Sequence, residues 1–380
     1  MKNCLSALYS ACFLLFPLAI YSQQWDLRGQ LTSSTNLHND PIDGITEIDQ
    51  RVGYIPTLSI YPDHKFLNNI DFEAAFNLQA NFEGLFGADE GNNYHDRDIH
   101  RLWARYSTEN IELRYGIQKI AFGPGLILRP LRWFDSLDEK DPTGQTEGVT
   151  AVRIKYFGGK GITYWGWLIH PEDRDISSRG GRIEIPFIGL AEMGASYHHR
   201  PAYSLNKIPP RSGIPLVYVT SSEDRYSLDF RADVVIGLWS EVLMSKSSQD
   251  RFGAPFDRNI YMVGGDYTFP LGNGIYFLVE HMIDQLKPKV LLKDVQTEFS
   301  AIMVNYPIGV FDNITLIAEY DWDGDRRFNF IKYSRVYDNY DFNLIFAFNP
   351  EKDEFSKEEL ELSGFTLFGN NIQLIIIYNH

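Results

Sequence analysis

Charged side chains recur at alternate positions along stretches that are otherwise apolar. In the stretch NIELRYGIQ, Glu112 and Arg114 alternate with Ile111, Leu113 and Tyr115. The neighbouring stretches carry further arginines at positions with the same alternation: Arg101, Arg105 and Arg153. Fixed charges of this kind attract and orient charged or polar solutes. Passage of a solute by diffusion needs no nucleophile, cofactor or metal, and we expect none.

An apolar–polar period of two is the strongest pattern in the 380-residue chain. It places successive side chains on opposite faces of a β-strand. The period is clearest around residues 70–79, 111–118, 226–234 and 314–323, and it recurs more weakly elsewhere, including 357–368. We therefore predict about eighteen strands, with sixteen possible, many of them about ten residues long, which is the length of a tilted strand that crosses a bilayer.

The connections between these stretches alternate in length. Short turns rich in glycine, asparagine and proline occur at 107–110, 157–161 and 269–274. Longer polar connections include 81–97, 119–147, 201–224 and 324–339. This alternation predicts an all-β fold, a transmembrane antiparallel β-barrel with short periplasmic turns and long extracellular loops. A secreted sandwich or propeller is the rival, but the polar faces are densely charged and no repeat of propeller length is present.

The N-terminus has the pattern of a secretory signal peptide. Lys2 precedes a short apolar run, and Ser22 is a small residue before Gln23. We predict a signal peptide over residues 1–22 and one outer-membrane barrel domain over 23–380. Both cysteines, Cys4 and Cys12, lie in the predicted signal peptide, so the mature chain would contain none.

The connection at 119–147 is unusually long and mixed in character. Its stretch LILRPLRWF carries more apolar surface than a loop in water, so we expect it to fold inward against the barrel wall. Packing on neighbouring surface loops is the alternative. Its arginines would meet nearby acids or face the pore. The predicted constriction and pore-lining residues are Arg129, Arg132, Asp135, Asp138 and Glu139, facing Arg101, Arg105, Arg114 and Arg153 on the wall.

Residues 113–157 resemble a block found in porin-like outer-membrane families, including the alginate-export type. In that block a glycine-containing strand end is followed by a proline, a W-F-D element, an acidic D-P segment and a strand that opens with E-G-V. The matching positions are Gly116, Gln118, Phe122, Gly123, Pro130, Trp133, Phe134, Asp135, Asp141, Pro142, Glu147, Gly148 and Val149. The resemblance implies a porin-like barrel of about eighteen strands. The C-terminus departs from the usual aromatic ending, since Asn379 and His380 follow Tyr378.

Taken together, the sequence predicts a porin-like channel in the outer membrane for diffusion or export of a polar or charged solute. The alternatives are a plugged barrel that serves as a structural subunit of a larger outer-membrane complex and, third, a barrel hydrolase. The expected partners are outer-membrane lipid and lipopolysaccharide, a polar small molecule or oligosaccharide, and, as a further candidate class, other outer-membrane proteins. The formal net charge of -15 argues against nucleic acid, because phosphate binding requires clustered Lys and Arg.

Overall fold

A computed structural model describes residues 24–39, 46–63, 67–82, 93–170, 176–187, 189–207, 216–220, 222–248, 256–289, 293–350 and 369–380. The strands within these ranges are β1 (Gln24–Asn39), β2 (Thr46–Tyr61), β3 (Ile70–Phe82), β4 (Asn93–Ser107), β5 (Ile111–Gln118), β6 (Val149–Phe157), β7 (Thr163–Ile169), β8 (Ser178–Phe187), β9 (Ala191–Arg200), β10 (Tyr203–Lys207), β11 (Leu216–Thr220), β12 (Glu223–Asp233), β13 (Gly237–Ser247), β14 (Phe256–Phe269), β15 (Ile275–Pro288), β16 (Val295–Pro307), β17 (Asp312–Asp321), β18 (Arg326–Val336), β19 (Tyr340–Phe348) and β20 (Asn370–Asn379). The predicted signal peptide lies outside the described residues.

Eighteen of these strands form one closed antiparallel sheet. Each strand pairs with its neighbours in the chain, except that β9 pairs with β12 because β10 and β11 form a separate hairpin. The first and last strands close the ring, with Leu31 opposite Tyr378. Gly29 and His380 extend this seam by exchanging backbone hydrogen bonds of 2.9 and 3.0 Å. Closure leaves no edge of this 18-stranded sheet unpaired, which a bilayer requires.

The two ends of the barrel differ. At one end lie the start of β1, the end of β20 and short turns such as 108–110, 234–236 and 308–311. The opposite end, called here the long-loop end, carries longer connections, among them 119–148, 201–222 and 349–369. Within the described part of the chain, no helix is long and apolar enough to span a membrane.

The two faces of the sheet have opposite character. Large apolar side chains point outward, as shown by Leu228 and Val263, which are 55% and 58% exposed. Charged side chains point inward, and Glu241 and Glu280 are 1% and 0% exposed. A soluble β-protein distributes these classes the other way round. The predicted transmembrane barrel of about eighteen strands is therefore confirmed as the fold.

The prediction was wrong at one strand. Residues 324–339 were expected to form a long loop, yet β18 occupies most of them. The apolar–polar alternation of β18 is obscured for two reasons. The apolar side chains of Phe328 and Phe330 line the interior. Arg327 and Arg335, which lie opposite Tyr320 and Asp312, are charged at positions where an outward-facing residue would be expected to be apolar. The weak stretch at 357–368 lies outside the described residues.

The outer face yields a stability prediction. Replacing Leu228, midway along β12, with Arg should lower the free energy of unfolding in lipid vesicles by about 2–4 kcal/mol, because the charge would lie in hydrocarbon. The same substitution at Phe269, at the strand end, should cost only about 0–1 kcal/mol. Denaturant unfolding of both variants checks the difference, and equal costs at the two positions would contradict an outward lipid-facing surface.

Candidate functional site

The segment that joins β5 to β6 is held by a buried carboxylate on β15. The backbone N–H groups of Leu126, Ile127 and Leu128 donate to the Glu280 carboxylate at 2.8, 3.0 and 2.6 Å. The indole Nε1 of Trp239 donates to the same carboxylate at 3.1 Å. Successive backbone amides pointing at one anion form a concave anion site. The Glu280 charge is thus stabilised by four N–H donors.

A second carboxylate, on β13, holds the residues on either side of this turn. Glu241 accepts hydrogen bonds from the backbone N–H groups of Gly125 at 2.7 Å and Leu131 at 3.2 Å. Gly123 has a φ of 91°, and a Cβ there would lie 2.6 Å from Oε1 of Glu241. Glu241 is six residues from Ser247 at the long-loop end. The segment therefore contacts the inner wall about 20 Å along the strand from that end, at about 3.4 Å per residue.

Apolar contacts accompany these hydrogen bonds. Leu128 packs in a buried cluster with Trp239, Met262 and Leu278. Leu131, which is 1% exposed, belongs to a second cluster; the other buried members are Ile120, Phe122, Ala151, Trp167, Ile169, Leu243 and Ile260. The apolar part of the segment is thus packed against the inner faces of β6, β7 and β13–β16.

The acidic part of the segment meets a different wall. Lys140 Nζ lies 2.6 Å from Oε1 of Glu319 on β17. Burial lowers the pKa of Lys140, but the Glu319 carboxylate outweighs burial and the net shift is upward. The ammonium group therefore stays charged at neutral pH and the ion pair persists.

The last part of the segment contacts strands on the far side of the seam. The side chain of Gln30 on β1 donates to the carbonyl of Thr143 at 3.3 Å and accepts from Gln145 Nε2 at 2.9 Å. Arg101 on β4 donates to the carbonyl of Thr146. The segment thus contacts β13, β15, β17, β1 and β4, which are distributed around most of the circumference of the barrel.

The predicted residues of the segment have distinct environments. Arg129 forms an ion pair with Asp135 at 2.6 Å and donates to the carbonyl of Leu137. Arg132 is exposed, and no salt bridge to it occurs among the described residues. Asp138 accepts a hydrogen bond from the backbone N–H of Lys140 at 3.0 Å. Glu139 is half-buried.

Three of the four predicted wall arginines form a row. Strand register places Arg105 opposite Arg114, and Arg114 opposite Arg153. Glu112 lies among them, at 3.5, 3.6 and 2.5 Å from the three guanidinium groups in that order. Arg105 also pairs with Asp71. The row lies toward the short-turn end, whereas Arg101 lies higher and contacts the segment.

Several residues of the family-like block have steric or hydrogen-bonding roles. Gly116 has a φ of 121°, and a Cβ there would lie 2.0 Å from the carbonyl oxygen of Leu102. Gln118 is fully buried and donates to the carbonyl of Ala151 at 2.9 Å. Gly148 packs so closely that a Cβ would lie 2.9 Å from Arg101. These roles concern how the segment leaves and rejoins the sheet. The remaining positions of the block are Phe122, Gly123, Pro130, Trp133, Phe134, Asp135, Asp141, Pro142, Glu147 and Val149.

Sequence reasoning missed Glu241 and Glu280. Each stands between two apolar residues on the same inner face: Trp239 and Leu243 flank Glu241, and Leu278 and Met282 flank Glu280. The available sequence signal was a single acidic residue among apolar residues on the inner face of a strand. Nothing in the sequence indicated that backbone amides would be its partners.

A cavity of about 1060 Å³ is lined by the segment and by the inner faces of β1–β4 and β12–β20. Its lining is mixed, with charged residues from the segment facing polar and apolar wall residues. The lining residues include Gln30, Arg132, Ile317, Phe330, Ile345 and Gln373.

Comparison with known proteins gives structural matches only. No family model matches the chain, and no curated protein sequence matches it. A BenF-like porin from Pseudomonas fluorescens Pf-5 superposes with a TM-score of 0.63 at 10% identity, over 95% of this chain and 99% of that one. OccAB1 of Acinetobacter baumannii superposes with a TM-score of 0.60 at 9% identity, over 95% and 97%. The fold is that of an outer-membrane porin.

Outer-membrane expressed OmpT of Vibrio cholerae matches more weakly, with a TM-score of 0.51 at 10% identity, over 94% of this chain and 97% of that one. These structural similarities concern the fold and its location as an integral outer-membrane barrel. The resemblance of residues 113–157 to the alginate-export type is not shown by them and stays a prediction.

The carboxylate contacts give a testable prediction. Replacing Glu280 with Gln should lower the free energy of unfolding by about 1–3 kcal/mol. The side-chain amide nitrogen would replace one carboxylate oxygen, and it cannot accept the hydrogen bonds that the backbone N–H groups donate there. The substitution should also increase trypsin cleavage after Arg132 or Lys140 in the folded barrel. Glu184→Gln, an inner-face control whose carboxylate pairs with Arg182 and Trp165, should leave that cleavage unchanged. Unchanged cleavage in both variants would contradict the anchoring role of Glu280.

Proposed function

We propose that the protein is an outer-membrane channel that passes small polar or charged solutes by diffusion. The observation that carries the proposal is the mixed-polarity cavity of about 1060 Å³ beside the segment. A closed barrel of this strand number is wide enough for an aqueous path when its interior is not completely filled. The outer apolar face contacts membrane lipid.

The segment 119–147 narrows this path. Its amides bind Glu241 and Glu280 on one wall, and its acidic half reaches Glu319 on another. Solutes therefore pass beside the segment, through the cavity that β1–β4 and β12–β20 line. Because the segment carries Arg132 at the cavity surface, it also contributes charge to the path.

The wall arginines supply a second charged region. Arg105, Arg114 and Arg153 share two close acids, Asp71 and Glu112. Three guanidinium groups beside two carboxylates leave this row with one excess positive charge. Low-dielectric walls focus such a field and favour entry of solutes with negative charge.

A plugged barrel is the second candidate, and one observation favours it: the segment bonds to strands on several sides of the interior. Such a barrel would serve as a structural subunit of a larger outer-membrane complex. Planar-bilayer recording of the purified, folded protein separates the two functions. Stable conductance steps support the channel, whereas their absence together with co-purifying partners supports the structural subunit.

Arg132 gives a prediction for selectivity. Arg132→Gln should shift the permeability ratio toward cations by roughly two- to fivefold, since one unit charge about 8 Å from the ion path is worth on the order of 0.5–1 kcal/mol in watery surroundings. Reversal potentials in a salt gradient measure the shift. Arg327→Gln removes the same charge from an exposed position opposite Tyr320 and should produce no shift. Equal effects of the two variants would place Arg132 outside the ion path.

A further inference from the structure

Some short turns at the end opposite the long loops carry large apolar side chains. Between β12 and β13, Val234, Val235 and Ile236 are 72%, 78% and 46% exposed. Between β16 and β17, Val310 and Phe311 are 93% and 54% exposed. A turn that projects into water is normally built from glycine, proline and small polar residues. These turns instead present apolar surface beyond the ends of their strands.

The apolar turns are neighbours around the rim of the barrel. Leu190, between β8 and β9, is 55% exposed, and Leu271, between β14 and β15, is 60% exposed. Strand pairing places these two turns beside the other two. The backbone N–H of Asp233 donates to the carbonyl of Leu190 at 2.9 Å and joins the first turn to the second. The four turns, called here the apolar arc, are 189–190, 234–236, 270–274 and 308–311.

The turns between β4 and β5 and between β6 and β7 have the opposite character. The first carries Glu109 and the second carries Lys160, and both side chains are exposed. Outward tyrosines lie directly above them. Tyr106 is 43% exposed at the end of β4, and Tyr156 on β6 lies beside Tyr164 on β7 with ring centres 6.1 Å apart. Because tyrosine favours the membrane–water interface, the lipid-covered band ends above the turns on this side.

On the side of the apolar arc, a row of polar side chains marks the upper limit of the apolar band. Strand register places Arg179 on β8 opposite His199 on β9, and His199 opposite Asp224 on β12. Nδ1 of His199 lies 2.9 Å from Oδ1 of Asp224. These three side chains alternate with inward residues such as the buried Glu223, so they point outward. They therefore lie at the polar boundary nearer the long-loop end.

Below that row, the outward face of β12 is apolar as far as its turn. The outward residues are Tyr226, Leu228, Phe230, Ala232 and Val234. With about 3.4 Å per residue and a strand tilt of about 40°, Tyr226 and Val234 are about 21 Å apart along the membrane normal. The apolar band of an outer-membrane barrel is about 25 Å tall. On this side the band therefore reaches the turn itself.

We propose that the apolar arc inserts into the membrane leaflet at the short-turn end, at the boundary between headgroups and acyl chains. Lipid is the occupant because the arc continues a surface that faces lipid: Phe187 and Leu238, outward on the adjoining strands, are 56% and 48% exposed. The turns between β4 and β7 stay in water. The barrel is thus seated more deeply on the side of β8–β17 than on the side of β4–β7.

Insertion at this depth buries no charge and few unpaired backbone groups. The stretches 234–236, 270–274 and 308–311 contain no charged residue. Backbone hydrogen bonds within the turns satisfy part of the main chain, as between the N–H of Gly274 and the carbonyl of Leu271 at 3.0 Å. The headgroup region supplies water for the remainder. The cost that excludes irregular backbone from the bilayer centre is therefore small here.

Nitroxide labels test the depth of each turn. Residues 23–380 contain no cysteine, so one can be introduced by Val235→Cys or Val310→Cys in the chain without the predicted signal peptide. Glu109→Cys and Lys160→Cys are the matched controls in the polar turns. Leu228→Cys is the reference for lipid. Each labelled variant is folded into vesicles of phosphatidylethanolamine and phosphatidylglycerol, and its folding is verified by heat-modifiable gel mobility.

Power-saturation EPR then compares collisions with oxygen, which concentrates in lipid, and with a water-soluble nickel(II) chelate. The ratio of oxygen to nickel accessibility at 235 and 310 should be several times that at 109 and 160 and approach that at 228. If Val235→Cys does not fold, Leu271→Cys is measured in its place with the same expectation. The measurement concerns only the outer rim, so its outcome is independent of whether the barrel conducts.

Three results would overturn the proposal. Nickel accessibility at 235 and 310 equal to that at 160 would place the arc in water. Low accessibility to both reagents would show that protein covers the arc, and spin–spin broadening would identify that protein as a second copy of the chain. Lipid-like ratios at 109 and 160 as well would show that the whole rim is immersed, which contradicts the uneven seating.

Discussion

Two carboxylates without close cationic partners in the described chain organise the interior of this barrel. Glu241 and Glu280 lie almost fully buried, and five backbone N–H groups of one segment donate to them. A buried carboxylate is costly unless hydrogen bonds replace its hydration. The segment has no regular secondary structure, so its amides equally require acceptors. The carboxylates and the backbone amides therefore satisfy each other's hydrogen-bonding requirement, and this pairing determines where the segment lies.

The closed sheet makes that arrangement possible. With all strand edges paired, the outer surface can be apolar and the inner surface can carry charges that a soluble protein would expose to water. The segment borders two cavities, a larger one lined by β1–β4 and β12–β20 and a smaller one lined by β4–β9 and β12. The same backbone anchors thus shape both the proposed path and the smaller cavity.

Much of the fold was predictable because strands have a local signature. Alternation indicated β5 and β12 clearly, since their inward positions are charged and their outward positions apolar. It failed at β18, where Phe328 and Phe330 face the interior and the contrast between faces is lost. The proximity of Arg105, Arg114 and Arg153 also follows from sequence, because consecutive strands of a meander are neighbours.

The segment itself was less predictable. Composition indicated that its apolar stretch must be covered, and the pairing of Arg129 with Asp135 joins residues close in sequence. Its contacts with Glu241 and Glu280 join residues more than 100 positions apart through backbone atoms. Backbone donors carry no side-chain identity, so no residue type in the segment points to these acids. Gly123 and Gly125 were the remaining sequence signal. The reason that glycine is required at both positions, the close approach of the Glu241 carboxylate, became evident only in the structure.

Amide hydrogen exchange of the folded protein tests this account most directly. The account predicts that the N–H groups of Gly125, Leu126, Ile127, Leu128 and Leu131 exchange as slowly as amides in the neighbouring strands, although they belong to no strand or helix. Because each is bonded to a buried carboxylate, exchange requires the segment to leave its anchors. Exchange of these five amides at the rate of an unstructured peptide would contradict the central role of Glu241 and Glu280.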